Sequence, residues 1–142
     1  MATDKYPKHK ALKPFFGVVM KGLNGLVDGE HYYDAIAEDA QFEFLYRFPG
    51  WAEAIRGREN LIAAYSGYGN NIVLEKPDGL RVHHDQERGV VTLEYQVHGK
   101  AVKTGAMYAN RFASIVTIKN RKIVRWRDYM DARATWQALT GK

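Results

Sequence analysis

The clearest regularity in this sequence of 142 residues is an alternation of apolar and polar side chains in the segment Gly89–His98, which is strict from Val91 onward. Val91, Leu93, Tyr95 and Val97 share one face of this segment, and Thr92, Glu94, Gln96 and His98 share the other. Because successive side chains of a β-strand point to opposite faces, the alternation predicts a strand with one buried face. The chain must therefore fold around a sheet that is covered on one side.

Patterns of period two also occur in one segment of the first half of the chain and in most of the chain after Gly69. They predict further strands at Gln41–Phe48, Ile72–Glu75, Leu80–His84, Gly105–Ile118 and Lys122–Asp131. The residues Pro77-Asp78-Gly79 indicate either a turn or a bulge between the two short strands.

Spacings of three and four residues predict helices in the first half. These helices are a long one at Ala11–Val27, a short one at His31–Ala37, and a third that opens at Gly57-Arg58-Glu59. A short C-terminal helix begins after Asp131, which is predicted to be its N-cap. Three helices followed by long strands predict an α+β fold, in which helices pack on one face of a curved sheet of mixed or antiparallel strands. We expect a cone with an internal pocket, formed by a single domain over residues 1–142.

The last predicted strand carries one carboxylate among large apolar side chains. Trp126, Asp128 and Met130 share one face of this strand, and Arg125, Arg127 and Tyr129 share the other. If the first face lines the pocket, Asp128 is an acid in an apolar cavity, where desolvation would raise its pKa and suit it to proton transfer. The alternative is a structural carboxylate that is held by a tyrosine or an arginine.

Composition excludes several classes of site. The chain has no cysteine, so disulfides and thiolate sites are absent, and its five histidines show no paired ligand spacing. We therefore expect neither a metal nor a cofactor. The net charge of +5 comes from scattered residues rather than a basic stripe, which argues against a nucleic-acid partner. Without a signal peptide or an apolar run of about 20 residues, a cytoplasmic protein with no membrane partner is expected.

The order of predicted elements, together with three short motifs, resembles the superfamily of nuclear transport factor two and ketosteroid isomerase. The motifs are Ala37-Glu38-Asp39, Gly57-Arg58-Glu59, and Lys122-Ile123 leading to Trp126-Arg127-Asp128-Tyr129. Within this superfamily the C-terminal motif is similar to SnoaL-like polyketide cyclases, limonene epoxide hydrolase and the phenazine-biosynthesis A/B proteins. The resemblance implies that the residue at the position of Asp128 is a pocket acid used for proton transfer.

The resemblance to limonene epoxide hydrolase is incomplete. That family needs a tyrosine and an asparagine on the first strand, where this chain has Phe42 and Phe44. It also needs an arginine and a second aspartate on the middle strand, where this chain has Tyr95 and Val97. An orthodox epoxide hydrolase is therefore disfavoured, while a mechanism with a single acid remains possible.

Further candidate residues follow from the predicted strand faces. Tyr95 is predicted to donate a hydrogen bond to a substrate oxygen, or else to be a satisfied core tyrosine, and Glu94 is placed on the outer face. One histidine of the doublet His83-His84 must face inward on a strand, and His83 is the catalytic candidate, with a structural role as the alternative. The remaining predicted substrate-binding residues are Met20, Leu23, Tyr32, Phe42, Phe44, Tyr65, Tyr68, Val97, Asn110, Phe112 and Trp126.

These residues predict a cofactor-free enzyme that transfers a proton on a hydrophobic, oxygenated small molecule, by isomerisation, cyclisation or dehydration. The alternative is a non-catalytic binding or assembly domain with the same fold, and the third hypothesis is an epoxide hydrolase-like enzyme. The loop Arg47–Trp51 is either a lid over the pocket or a subunit contact. The resemblance implies a homodimer that forms through the outer face of the sheet.

Overall fold

The computed structural model of the chain describes residues 5–142 and contains six strands. They are β1 (Ile36–Phe44), β2 (Ala54–Arg56), β3 (Ile72–Asp85), β4 (Val90–Ala101), β5 (Met107–Lys119) and β6 (Lys122–Met130). The three α-helices are α1 (Lys13–Gly22), α2 (Arg58–Tyr65) and α3 (Ala132–Thr140). Three 3-10 helices lie at Pro7–Leu12, Tyr33–Ala35 and Tyr68–Asn70.

The strands form one mixed sheet in the order β2-β1-β6-β5-β4-β3. β1 runs parallel to β6, and every other neighbouring pair is antiparallel. The parallel pairing brings Phe44 opposite Asp128 and Phe42 opposite Trp126, although these residues are far apart in sequence. The predicted α+β class with a mixed sheet is confirmed.

Irregularities in strand pairing curve the sheet. The register of β3 against β4 shifts between Leu74 and Lys76, and again between Asp78 and Arg81. The Pro77-Asp78-Gly79 segment therefore lies in a bulged strand rather than in a turn. β4 continues through Gly99, where a Cβ atom would lie 2.2 Å from the carbonyl oxygen of Val73. Only glycine allows the backbones of β3 and β4 to come this close.

Two predicted helices are shorter than expected. α1 ends at Gly22 instead of Val27, and Gly25 has a φ of 82° that a regular helix does not allow. The helix predicted at His31–Ala37 is wrong, because only Tyr33–Ala35 forms a 3-10 turn. β1 starts at Ile36, which is buried and pairs with Ile123 of β6. β2, a strand of three residues, is not predicted from the sequence.

The core lies between the sheet and the N-terminal helices. It includes residues from α1, α2 and five strands, and Val91, Leu93, Tyr95 and Val97 are all buried as the alternation of β4 predicts. No helix within residues 5–142 is long and apolar enough to cross a membrane. The assignment of residues 1–142 to a single domain stays a prediction.

Candidate functional site

A cavity of about 350 Å³ opens on the face of the curved sheet that is covered by α1 and α2, and all six strands contribute to its wall. This volume lies at the lower end of the range of about 300–1,000 Å³ that small-molecule sites occupy. Its lining residues are Leu12, Phe15, Phe44, Tyr46, Gly50, Trp51, Ala52, Ile55, Ala64, Tyr65, Gly67, Tyr68, Asn71, Leu74, Val97, Tyr108, Phe112, Asp128 and Met130.

Few polar side chains line this cavity. Asp128 is the one charged side chain among the described residues that line it, and no lysine, arginine or histidine of this set reaches the wall. The other polar side chains are those of Asn71 and of four tyrosines, Tyr46, Tyr65, Tyr68 and Tyr108. The cavity is thus largely aromatic and carries a single carboxylate.

Asp128 is held in β6 with only 4% of its surface exposed. Its Oδ1 accepts a hydrogen bond of 2.5 Å from Oγ of Ser114, which lies opposite it on β5. Its backbone oxygen accepts from the backbone N–H of Leu45 at 2.9 Å. The ion pairs formed among residues 5–142 do not include Asp128. The structural alternative of a carboxylate tied to an arginine is therefore not what the structure shows.

Burial raises the pKa of Asp128 from its ordinary value of 3.8 to about 7. The hydrogen bond from Ser114 opposes this rise, because it stabilises the ionised form. The indole N–H of Trp126 also lowers the pKa, although its position falls short of a regular hydrogen bond. A carboxyl group with a pKa near neutrality exchanges its proton readily at physiological pH.

Ser114 connects Asp128 to Tyr95. The hydroxyl of Tyr95 lies 2.8 Å from Oγ of Ser114, and all three side chains are buried. A serine hydroxyl has one hydrogen, so when it donates to the ionised carboxylate it accepts from Tyr95. The order of donation is then from Tyr95 to Ser114 to Asp128.

Three tyrosines place hydroxyl groups near the carboxylate without a protein partner. Tyr46, Tyr65 and Tyr68 line the cavity, and their hydroxyls form no hydrogen bond with the part of the chain that the structure describes. Burial raises the pKa of each, and the charge of Asp128 contributes to the rise. These hydroxyls therefore stay protonated at neutral pH and are donors for a bound ligand.

The structure brings six of the predicted site residues to the cavity wall. They are Phe44, Tyr65, Tyr68, Val97, Phe112 and Asp128. Five other predicted wall residues, Met20, Leu23, Tyr32, Phe42 and Trp126, do not line the cavity and belong to the core or pack against it. On the N-terminal segment, Leu12 and Phe15 line the cavity instead of Met20 and Leu23, which lie further along the chain.

The predicted role of His83 is not supported by its position. His83 and His84 are both exposed, so the prediction that one ring faces inward is wrong. Nε2 of His83 lies 2.7 Å from Oε2 of Glu94, which is on the outer face of β4 as predicted. The physical reason is that β3 is an edge strand and its residues 81–84 are all exposed, so neither face of this part of the strand is covered by the rest of the protein.

Tyr95 and Asn110 contact protein groups rather than the cavity. Tyr95 is buried and its hydroxyl lies 2.8 Å from Oγ of Ser114, which agrees with the alternative prediction of a core tyrosine with a satisfied hydroxyl. The amide of Asn110 bonds the hydroxyl of Tyr108 at 2.8 Å and both backbone groups of Asp131 at 3.0 Å. It fastens α3 to the sheet and is not turned to the cavity.

Sequence reasoning missed Ser114 and Tyr46. Ser114 shares the predicted inward face of β5 with Phe112, but only the pairing of β5 with β6 shows that it reaches Asp128. Tyr46 follows β1 in a turn, where strand alternation gives no information on facing.

Aromatic side chains connect the loop after β1 with the C-terminal helix. Trp51 lines the cavity and its ring lies 4.3 Å from that of Phe48. The ring of Phe48 lies 6.0 Å from that of Trp136 on α3.

Within residues 5–142, no group of three histidine, aspartate or glutamate side chains is arranged to hold a metal ion.

The fold and the site define an NTF2-like protein, a curved sheet with helices that enclose a pocket. The SnoaL-like domain model matches residues 27–126, which is more than half of the chain. The chain therefore belongs to the SnoaL-like family of the NTF2-like superfamily. The match ends two residues before Asp128, so the family assignment does not include that carboxylate.

Known proteins with similar sequence or structure agree with this assignment. The uncharacterized protein YesE of Bacillus subtilis (strain 168) is 28% identical over 104 residues, which cover 73% of this chain and 71% of YesE. A crystal structure of a Bacillus subtilis protein proposed to be an isomerase aligns with a TM-score of 0.75 at 22% identity, covering 99% and 98% of the two chains. A Jannaschia protein proposed to be a SnoaL-like polyketide cyclase aligns with a TM-score of 0.68 at 15% identity, covering 99% of both chains. At these identities the solved structures show the fold alone.

Proposed function

We propose that the protein is a cofactor-free enzyme that moves a proton on a hydrophobic, oxygenated small molecule, with Asp128 as the general base and acid. The observation that carries this proposal is a carboxylate without a cationic partner on the wall of an aromatic cavity. The isomerase and cyclase assignments proposed for the structural relatives are consistent with such chemistry.

The charged side chain of the cavity wall is an acid, so an anionic ligand is disfavoured. A ligand carboxylate or phosphate would find no cation on the described wall, and would face the negative charge of Asp128. An uncharged ring compound with a carbonyl group fits better, because Tyr46, Tyr65 and Tyr68 offer donors for its oxygen.

The proposed step is the removal of a proton from a carbon next to that carbonyl. The ionised carboxylate of Asp128 takes the proton and becomes a carboxylic acid, while the C–H electron pair delocalises onto the carbonyl oxygen as an enolate. A tyrosine hydroxyl donates a hydrogen bond to the enolate oxygen. Asp128 then returns the proton to another carbon of the ligand, which completes an isomerisation.

Deuterium exchange of 2-tetralone in D2O, followed by NMR, tests this proposal with a neutral bicyclic ketone. We expect the wild-type protein to accelerate exchange at the carbons next to the carbonyl, with a rate that rises with pH through about 7 as Asp128 ionises. Asp128→Asn should lower the protein-catalysed rate by about 10²–10⁴-fold, the usual contribution of a general base.

Glu94→Gln is the matched control, because it neutralises an exposed carboxylate on the outer face of β4. This variant should keep the wild-type rate. Equal exchange rates for wild type and Asp128→Asn would show that Asp128 is not the general base. A lack of acceleration for 2-tetralone and for a series of related ring ketones would contradict the enzymatic proposal and favour a binding domain.

A further inference from the structure

We propose that Ser114 is a positioning residue, whose hydroxyl is oriented by Tyr95 and fixes Oδ1 of Asp128 so that Oδ2 is left for the ligand. This inference rests on the proposed function, because it concerns the carboxylate that acts there as the base. Neither the family assignment nor the similar proteins give a role to Ser114.

The sheet register brings the three side chains together. On β5, Ser114 lies between its two partners, opposite Asp128 of β6 and opposite Leu93 of β4, two residues from Tyr95. Ser114 is fully buried, so its hydroxyl has no access to bulk water. The distances of 2.8 Å from Tyr95 and 2.5 Å to Asp128 are both those of hydrogen bonds.

The two hydrogen bonds from Tyr95 to Ser114 and from Ser114 to Asp128 fix the orientation of each side chain. The ring of Tyr95 stacks in parallel on that of Phe112 at 5.5 Å, which fixes the position of its hydroxyl. With the Tyr95 hydroxyl as donor, the single hydrogen of Ser114 is directed to Oδ1. A carboxylate without this bond turns more easily about its terminal torsion, which is broad for aspartate.

The other oxygen of Asp128 is the one available to a ligand. Oδ2 forms no hydrogen bond of regular geometry with the residues that the structure describes, and Asp128 lies on the cavity wall. The titratable groups that act on the carboxylate from the surrounding elements are tyrosines, which are neutral at pH 7. They are Tyr32, Tyr46, Tyr65, Tyr68, Tyr95 and Tyr108. Ser114 is therefore the group that most favours the ionised form, and the nearby Trp126 indole lowers the pKa of Asp128 by less.

Carboxyl-carbon NMR titration of Asp128 tests this role without any substrate. Ser114→Ala removes a bond to the ionised form, so the pKa of Asp128 should rise above its wild-type value by on the order of one unit, a tenfold change in the ionisation constant. Ser114→Cys has a weak donor of similar shape and should give a smaller rise. Tyr95→Phe keeps the Ser114 bond and the ring stacking, and should also shift the pKa upward by less than Ser114→Ala.

The pH dependence of exchange gives a second readout. If Ser114 acts through Asp128, the rising limb of the rate against pH moves upward by the same amount as the NMR pKa. A purely structural loss would lower the rate at all pH values and leave that limb in place. Ser66→Ala is the matched control, because Ser66 is the exposed C-cap of α2, where its hydroxyl donates to the carbonyl of Ala63 at 2.7 Å, and its loss should change neither measurement.

An unchanged pKa of Asp128 in folded Ser114→Ala overturns the inference. If that variant does not fold, an unchanged pKa in both Ser114→Cys and Tyr95→Phe overturns it as well. A shift of the pKa in a protein that exchanges no ketone would support the positioning role and contradict the proposed function, so the two failures are distinguishable.

Discussion

Tyr32 and Tyr95 approach the same carboxylate, but only one of their hydroxyls has a partner. The hydroxyl of Tyr32 is buried and forms no hydrogen bond among residues 5–142, whereas that of Tyr95 bonds Ser114 at 2.8 Å. Burial, followed by the charge of Asp128, raises the pKa of both. A buried hydroxyl without a partner destabilises a protein, while a satisfied one does not.

We therefore expect Tyr32→Phe and Tyr95→Phe to change stability in opposite directions. Tyr32→Phe should raise the free energy of unfolding by about 1 kcal/mol, because it removes an unsatisfied group, and Tyr95→Phe should lower it by about 1 kcal/mol. Urea denaturation of the two variants measures this contrast. Equal destabilisation by both substitutions would show that the hydroxyl of Tyr32 has a partner in solution, such as a buried water molecule.

The site residues that the sequence predicts are those whose strands alternate without interruption. Asp128 stands out because it is the polar member of an apolar face with Trp126 and Met130, and the structure buries it. His83 lies in a part of the edge strand β3 where residues on both faces are exposed, and alternation along one strand cannot show that neither face is covered. Ser114 is small and chemically ordinary, and its importance follows only from a partner 14 residues away in the sequence.

At the scale of elements, α3 is joined to the sheet by a few hydrogen bonds around Asp131. The carboxylate of Asp131 accepts from the backbone N–H groups of Arg133 at 3.0 Å and Ala134 at 3.2 Å, as its predicted role of N-cap requires. The amide of Asn110 on β5 binds both backbone groups of Asp131. These contacts satisfy the first turn of the helix and fix where it leaves the sheet.

Asp131→Ala should lower the free energy of unfolding by about 1 kcal/mol and increase amide hydrogen exchange in α3, because the first turn loses its cap. Asp131→Asn is the matched control, since asparagine also caps helices well and should change little. Hydrogen exchange by mass spectrometry compares the two variants. Equal exchange of α3 in wild type and Asp131→Ala would mean that Asn110 alone holds the helix.

The elements that the sequence fails to predict are short or depend on distant partners. β2 has three residues, too few for a period to appear, and it is a strand only because it pairs with β1. The start of β1 at Ile36 is determined by the parallel partner β6, which follows much later in the chain. Local spacing around Tyr32 and Tyr33 therefore predicts a helix in a region where pairing with a distant strand decides the structure.

At the scale of the molecule, the cavity depends on both ends of the chain. Leu12 and Phe15 from the N-terminal part of the chain and Asp128 and Met130 from the C-terminal part all line it. The order of elements is enough to predict the NTF2-like fold, but the wall of the cavity also depends on the bulges and the curvature of the sheet, which no local pattern gives. The homodimer and the cytoplasmic location stay predictions.

The ionisation of Asp128 should also affect the stability of the whole molecule. Its pKa is about 7 in the folded protein and 3.8 when unperturbed, so between these values the folded state holds a proton that the unfolded state has released. The contribution of Asp128 to the free energy of unfolding therefore falls as pH rises from about 4 to 7 and is level above that range. At about 1.4 kcal/mol per pKa unit, the fall amounts to roughly 4 kcal/mol as an upper estimate.

Asp128→Asn removes this contribution, so the variant should gain stability over wild type as pH rises from 5 to 8. Urea denaturation of both proteins at the two pH values measures the difference in free energy of unfolding, which should grow by a few kcal/mol. Burial acts to raise the pKa of Asp34, but the hydrogen bond from Lys5 and other contacts outweigh this effect and lower it. Its contribution to the free energy of unfolding therefore rises with pH, opposite to that of Asp128. Because that contribution is the same in both proteins, it cancels in the difference. A difference that is constant between pH 5 and 8 would mean that Asp128 ionises in the folded protein as it does in the unfolded chain, and the cavity would then hold a solvated carboxylate rather than a base tuned for proton transfer.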